Sequence, residues 1–201
     1  MTEENKNIIP EELEDIYKYS TYLIGSMEKP SEGDDGGEKR IVVEKELLLR
    51  MVYPINPVKL EATKTGMTTE DIKNKMTGWV ASGNWELFKD RATEIWRGVD
   101  FIEETRGLVH IPGDIDYCKM SDWLTFTLNR GDLPCGSYAE CGIAMEHNIP
   151  IYLITNIPKK ELPKSLLQMV LITDGEVFEN LHQYLLFIDE KYKLKKKEEK
   201  K

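Results

Sequence analysis

Short apolar runs, separated by polar segments rich in glycine and proline, recur along the chain in the pattern of buried strands. Four of these runs predict strands at residues 20–27, 52–56, 122–129 and 149–155. A fifth run predicts a last strand at residues 168–172. Apolar residues at helical spacing predict helices at residues 40–51, 114–121, 136–148 and 175–192, after a short helix in the acidic lead.

Strands that alternate with helices predict a mainly parallel sheet, because parallel strands need crossover connections that cover both faces. We therefore expect an α/β fold, a flavodoxin-like or Rossmann-like three-layer sandwich with five strands. Residues 58–110 interrupt this alternation. Thr69 is expected to cap a helix that reaches about Thr77, with Glu70 and Asp71 near its positive end, and residues 78–83 are expected to interrupt it. A longer amphipathic helix is expected before Gly107.

This pattern predicts three parts. Residues 1–19 form a helical lead, residues 20–190 form a single domain with a helical insertion at 58–110, and residues 191–201 form a basic tail. The tail carries seven lysines and two glutamates. We expect it to be a frayed, solvated helix end.

Composition narrows the class of protein. The 201 residues are 40% hydrophobic, enough for a core, and no apolar run reaches the ~18–20 residues that span a bilayer. The polar N-terminus has no signal-peptide pattern, so a cytoplasmic protein is expected. The net charge of −9 argues against nucleic acid as a partner. Three cysteines and three histidines, without a metal-ligand spacing, predict neither a disulfide framework nor a metal cofactor.

Ligands of parallel sheets bind beyond the carboxyl ends of the strands, where the strand order reverses. This rule selects the loops after Met27, Asn56 and Asn129. At the end of the strand that leads into the first loop, Gly25 would let a ligand approach the backbone, and Ser26 would offer a hydroxyl group and an amide to a phosphate or sugar oxygen.

A carboxylate in the predicted helix 136–148 is the strongest candidate for chemistry. Gly136, Glu140 and Ala144 are four residues apart and share one helix face, where the small residues would let the helix pack close to the sheet. Ser137 is expected to cap the helix and Glu140 to lie in its first turn. On this helix alone, an acid that only complements the helix dipole is the favoured interpretation.

Two further acids favour a catalytic role of Glu140 over a role that only complements the helix dipole. Asp114 opens the helix before the central strand, and Asp132 lies in the loop before the Glu140 helix. Carboxylates that cluster at one strand edge push their pKa values apart, which leaves one ionised and another able to protonate a leaving base. Aspartates at loop and helix starts also occur simply as caps, and the sequence does not show that these acids converge.

Together, the strand Tyr22–Met27, the segment from Asp114 to Asp122 and the Gly-Ser-x-x-Glu helix resemble the nucleoside 2-deoxyribosyltransferase family and its relatives, the nucleoside 5'-phosphate N-hydrolases. The resemblance implies cleavage or transfer of an N-glycosidic bond, with Glu140 as the covalent nucleophile and Asp114 protonating or orienting the base. It also implies that Tyr22 and Asp132 position the nucleophile and the sugar. Substrate-binding positions would be Gly25, Ser26, Met27, Gly136 and Ser137.

The resemblance further implies a small-molecule nucleoside or nucleotide ligand, no metal and a homo-oligomer. Residues 58–110 have no counterpart in the smallest members, and Asp100 competes with Asp114 for the base-side role. Two other interpretations stay open: a non-catalytic nucleotide-binding module of the same fold, and an NAD-cleaving relative. Transfer and hydrolysis are not distinguished by the sequence.

Overall fold

A computed structural model describes residues 9–10, 13–25, 38–103, 105 and 107–197. The chain divides into two compact units. The first, here called the sheet unit, comprises residues 1–56 and 118–201, and the second, here called the inserted unit, comprises residues 57–117. The predicted insertion, 58–110, lies within the inserted unit, which extends further and includes Asp114.

Seven strands and eight α-helices lie in the described residues. The strands are β1 (Tyr19–Gly25), β2 (Val52–Ile55), β3 (Val99–Glu103), β4 (Gly107–Ile111), β5 (Trp123–Leu128), β6 (Ile151–Thr155) and β7 (Glu176–Phe178). The helices are α1 (Glu38–Leu48), α2 (Pro57–Thr65), α3 (Thr69–Ser82), α4 (Trp85–Arg97), α5 (Asp114–Met120), α6 (Cys135–His147), α7 (Lys164–Ile172) and α8 (Leu181–Tyr192). No helix among these residues is long and apolar enough to cross a membrane.

The sheet unit contains a five-stranded parallel sheet in the order β2-β1-β5-β6-β7. Counted within this sheet alone, the order is 2-1-3-4-5, which is the flavodoxin-like order. The predicted α/β sandwich with five parallel strands is therefore confirmed. The chain leaves β1 for β2 on one side and returns to β5 on the other, so the order reverses between β1 and β5.

One face of the sheet carries the main apolar cluster, which α1 and α8 cover. The ring of Trp123 stacks on Tyr192 at 4.4 Å between centroids, and Leu23 of β1 belongs to the same cluster. Helix α6 packs against β1 and β5, and α7 packs against β6 and β7. Side chains alternate between the faces of a strand, so Tyr22 faces away from the cluster that contains Leu23.

The predicted strand at 168–172 is wrong, because these residues belong to α7. Leu166 and Val170, four residues apart, are both buried on that helix. The fifth strand is instead β7, within the segment predicted as the start of the closing helix. A short apolar run fits either a buried helix or a buried strand, and here the helical spacing decides.

The basic tail is packed against the sheet unit through residue 197, so its prediction as a frayed helix end is wrong there. Lys193, with a φ of 54°, ends α8. Leu194 then packs against the apolar cluster, and the Lys197 amide donates a hydrogen bond to the Leu49 carbonyl oxygen at 2.8 Å. Of the predicted helical lead, residues 1–8 and 11–12 lie outside the described residues, and the amide of Tyr17 closes a single turn onto the Leu13 carbonyl.

In the inserted unit, Thr68 and Asp71 form a capping box that starts α3, so the predicted cap Thr69 is wrong by one residue. The predicted interruption at residues 78–83 is wrong, because α3 continues through Gly78 to Ser82. A single glycine in a helix costs only about 1 kcal/mol. The predicted amphipathic helix before Gly107 is confirmed as α4, which ends at Arg97. The antiparallel hairpin of β3 and β4 that follows was not predicted.

Candidate active site at the carboxyl edge of the sheet

The reversal of strand order between β1 and β5 marks the candidate site, because ligands of such sheets bind at the carboxyl ends of the strands that flank it. We call this end of the sheet the carboxyl edge. Gly25 ends β1 there and is the register partner of Thr127. The predicted contacts Ser26 and Met27, which follow Gly25, lie outside the described residues.

Gly25 is required by a close approach of protein atoms. A β-carbon at this position would lie 2.9 Å from both the carbonyl and the hydroxyl oxygen of Thr127 and 3.3 Å from the Arg40 guanidinium. That guanidinium is 3% exposed and donates a hydrogen bond to the Gly25 carbonyl oxygen. Atoms of β5 and α1 therefore occupy the space that a side chain at position 25 would fill. The approach of a ligand to the Gly25 backbone stays a prediction.

Helix α1 carries a second buried charged side chain, Glu44, one helical turn after Arg40. The Asn56 side-chain amide, immediately beyond β2, donates a hydrogen bond to the Glu44 carboxylate at 3.1 Å. Sequence reasoning missed Glu44. The available signal was an acid that shares the buried face of α1 with Val43 and Leu47.

Glu140 is buried on α6, in a row that also contains Ser137, Cys141 and Ala144. These four are the buried residues of α6, and α6 packs against β1 and β5. The predicted helix 136–148 is confirmed to within one residue, but its predicted cap is wrong. Helix α6 begins at Cys135 after Pro134, without a side-chain cap, so Ser137 is not the cap. Glu140 consequently lies in the second turn, where the helix dipole acts less strongly on its carboxylate.

Gly136 does not bring α6 closer to the sheet, contrary to the prediction. It is exposed, and a β-carbon at this position would meet no atom within 4 Å. The small residue at the packed surface is Ala144, which is fully buried.

The neighbouring thiol, Cys141, is unsuited to nucleophilic chemistry. Burial, and secondarily the adjacent Glu140 carboxylate, raise the pKa of the Cys141 thiol far above neutrality. A thiol that stays protonated neither attacks carbon nor binds a metal readily. Within this buried row, Glu140 is the stronger candidate nucleophile.

Tyr22 is fully buried in β1, on the face opposite Leu23. Helix α6 packs against β1, so Tyr22 lies in the layer between the sheet and the Glu140 helix. This placement suits a side chain that supports the helix better than one that touches a ligand directly.

Asp132 closes the turn that follows β5. Its carboxylate accepts hydrogen bonds from the Asn129 amide at 2.7 Å and from the Asn129 side chain at 3.4 Å. The turn lies at the carboxyl edge, as predicted. The hydrogen bonds from Asn129 show that Asp132 caps this turn, which is the second role that the sequence allowed for it. Asp122 lies at the other end of the sheet, where it accepts a hydrogen bond from the Ser20 amide at 2.7 Å.

Asp114 opens α5 in the inserted unit and is buried. Among the acidic side chains that the structure describes, the buried ones are Glu44, Asp114 and Glu140, at 9%, 8% and 8% exposure. Two of these three are the acids selected from the sequence as base-side acid and nucleophile. The competitor Asp100 is exposed and lies 2.6 Å from the Nδ1 atom of His110.

A cleft of about 260 Å³ opens at the carboxyl ends of β5, β6 and β7. Its polar lining residues are Thr127, Asn129, Thr155, Asn156, Glu179 and Asn180, and its apolar ones are Val42, Val43, Ile154 and Leu181. Sequence reasoning identified the loop after Asn129 and missed those after β6 and β7. Glu140 does not line this cleft. Within the described residues no cluster of histidine, cysteine and acidic side chains is arranged to hold a metal ion.

Comparison of the chain with protein-family models, with curated proteins and with solved structures found no match.

Proposed function

We propose that this protein cleaves or transfers the N-glycosidic bond of a (deoxy)nucleoside or nucleoside 5'-monophosphate, with Glu140 as the covalent nucleophile. The observation that carries the proposal is the burial of Glu140 on α6, the helix packed against the two strands that flank the reversal of strand order. Burial of an acid is costly unless a specific arrangement compensates for it, so buried acids are rare outside functional or paired sites.

In the proposed reaction, a Glu140 carboxylate oxygen attacks the anomeric carbon of the sugar. The bond from that carbon to the base nitrogen breaks, and its electron pair leaves with the base. A protonated acid gives the base a proton, a role for which only the resemblance of the sequence names Asp114. The product is a glycosyl ester on Glu140, formed through an oxocarbenium-like transition state.

The second step returns the enzyme to its starting form. Water or the nitrogen of an acceptor base attacks the anomeric carbon and gives its proton to the acid that was deprotonated in the first step, and the Glu140 carboxylate leaves. Capture by water gives hydrolysis, whereas capture by a second base gives transfer. Which of them prevails depends on how well the closed site excludes water and binds the acceptor.

The placement of Tyr22 between the sheet and α6 supports an indirect role, in which it fixes the helix that carries Glu140. The hydrogen bonds of Asp132 within the turn after β5 support an indirect role for this residue too, in which it fixes the end of that strand. In the proposed site both are positioning residues, and contact with the sugar or phosphate is assigned to the Gly25–Met27 segment and to the start of α6.

Purified protein incubated with a panel of nucleosides and 5'-monophosphates, with and without a free acceptor base, tests this proposal. Chromatography separates released base and free sugar from an exchanged nucleoside. Release of free base supports the proposal, and a new nucleoside that appears only with acceptor identifies transfer. If no member of the panel is consumed under either condition, the proposed activity is refuted.

We also propose that the protein is a homo-oligomer. Support comes from the β3–β4 hairpin, where the register partners Ile102 and Leu108 are 83% and 73% exposed. Exposed apolar pairs of this kind mark interaction surfaces. Light scattering coupled to gel filtration would show a mass above that of one chain, and a monomer mass over the micromolar range would refute this part.

A further inference from the structure

A second cleft, of about 430 Å³, lies at the opposite end of the parallel sheet, where β1 begins and α8 ends. We call it the amino-edge cleft. It is formed within the sheet unit by the segment before β1, the end of α1 and the folded-back basic tail. Its ten lining residues are Ile16, Lys18, Tyr19, Arg50, Met51, Lys191, Tyr192, Lys193, Leu194 and Lys195.

Five of these ten residues are basic, and none of the described lining residues is acidic. The whole chain has the reverse balance, with 36 acidic and 27 basic residues. A cleft lined by charges of one sign focuses the electrostatic potential and attracts ions of the opposite sign.

The five basic side chains differ in their protein partners. Arg50 is paired with Glu46 at 2.7 Å and with Asp189 at 2.8 Å, so its charge is largely compensated. Lys191 lies over aromatic rings, 5.2 Å from the centre of Tyr152.

The remaining three lysines carry the uncompensated charge. Within the described part of the chain, no carboxylate forms an ion pair with Lys18, Lys193 or Lys195. The Lys18 ammonium group lies 5.2 Å from the centre of the Tyr19 ring, a contact of the kind that Lys191 makes with Tyr152, and such a contact leaves the charge in place. All three exposed ammonium groups can therefore bind an anion.

The other half of the lining is apolar or aromatic. Tyr19 and Tyr192 lie 5.0 Å apart between ring centres, and Ile16, Met51 and Leu194 complete this part. Small-molecule sites combine such a surface with a few convergent polar groups, in clefts of roughly 300–1,000 Å³. The amino-edge cleft has both properties.

We infer that the amino-edge cleft binds a nucleoside triphosphate. Three uncompensated ammonium groups match a polyphosphate chain, and the aromatic and apolar half offers a surface for the planar base. The cleft lies at the end of the sheet opposite the carboxyl edge. The ligand is therefore separate from the substrate of the proposed reaction, and the inference does not depend on that reaction.

Calorimetric titration with adenosine 5'-triphosphate tests this inference, with adenosine and inorganic triphosphate as partial probes. The double variant K18E/K195E should bind adenosine 5'-triphosphate at least about tenfold more weakly than the unchanged protein. The matched control K73E/K89E reverses two exposed lysines of α3 and α4, gives the same net charge and should bind as the unchanged protein does. Thermal melting of both variants verifies that they fold.

Adenosine and inorganic triphosphate should each bind more weakly than the complete nucleotide. The inference is overturned if adenosine 5'-triphosphate does not bind, or if both double variants weaken binding equally, which is the result of non-specific charge attraction. It is also overturned if K18E/K195E binds normally, because the nucleotide then occupies another site, or if inorganic triphosphate binds as tightly as the nucleotide.

Discussion

The side-chain amide of Asn56 donates a hydrogen bond to the buried carboxylate of Glu44 at 3.1 Å, and so ties the carboxyl end of β2 to α1. This contact fixes one flank of the carboxyl edge. Glu44→Ala should lower the free energy of unfolding by about 1–3 kcal/mol, because the buried Asn56 amide loses this acceptor. Urea denaturation measures the change. Lys45→Ala, at an exposed position of the same helix, should leave stability within about 0.5 kcal/mol, and equal effects of the two changes would contradict the role given to Glu44.

Gly25→Ala should destabilise the protein by about 1–3 kcal/mol, because the new methyl group would meet two oxygen atoms of Thr127 at 2.9 Å. Gly136→Ala is the matched control. Its methyl group meets no atom within 4 Å, and alanine is the better helix former by about 1 kcal/mol, so stability should rise slightly. Parallel denaturation curves compare the two, and a neutral Gly25→Ala would show that β1 and β5 approach less closely than described.

The His110 imidazole should make the stability of the inserted unit depend on pH. Hydrogen bonds, first to Asp116 and then to Asp100, raise the pKa of His110 above its ordinary value of 6.5. The folded state therefore binds the proton more tightly than the unfolded state. This contribution to stability is fully present below pH 6.5 and is lost as the pH rises through the higher folded-state pKa.

An NMR titration of the His110 ring protons measures that pKa directly. Asp116→Asn and Asp100→Asn should each lower it, since each change removes a carboxylate that favours the protonated ring. A titration midpoint at or below 6.5 in the unchanged protein would contradict the described geometry.

Leu194→Ala should lower the free energy of unfolding by about 1–2 kcal/mol. Truncation of a fully buried leucine would have a larger effect, but Leu194 is only half-buried against the apolar cluster. Leu186→Ala, at an exposed position of α8, is the control and should have little effect. Thermal melting distinguishes a packed tail from a frayed one: equal melting temperatures of the two variants would support the frayed helix end that the sequence predicts.

The parallel sheet could be predicted because its central strands are nearly continuous apolar runs, as strands buried on both faces must be. The residues now assigned to α7 were misread because a short apolar run does not distinguish a strand from a buried helix. The β3–β4 hairpin was missed because the aromatic residues of α4 suggested a longer helix, and the chain's turn at Gly98 is visible only in the fold.

The candidate site was predictable where chemistry and spacing coincide in one element. The Gly-Ser-x-x-Glu segment placed Glu140 on a helix at the carboxyl edge, and its burial there supports the selection. The position of Glu44 beside Val43 and Leu47 was visible in the sequence, whereas its contact with Asn56 was not, because Asn56 becomes a neighbour only when β2 returns alongside β1. The predicted cap, Ser137, lies three residues after the observed one, Pro134, so Glu140 belongs to the second turn and not to the first.

The catalytic role of Glu140 is tested most directly by the turnover of Glu140→Gln beside that of Glu146→Gln. The second change removes an exposed carboxylate from the same helix and leaves the buried row intact. With any substrate that the unchanged protein consumes, Glu140→Gln should reduce kcat by about 10³-fold or more, while Glu146→Gln stays within about twofold. If Glu140→Gln turns the substrate over as fast as Glu146→Gln does, the carboxylate of Glu140 is not the nucleophile.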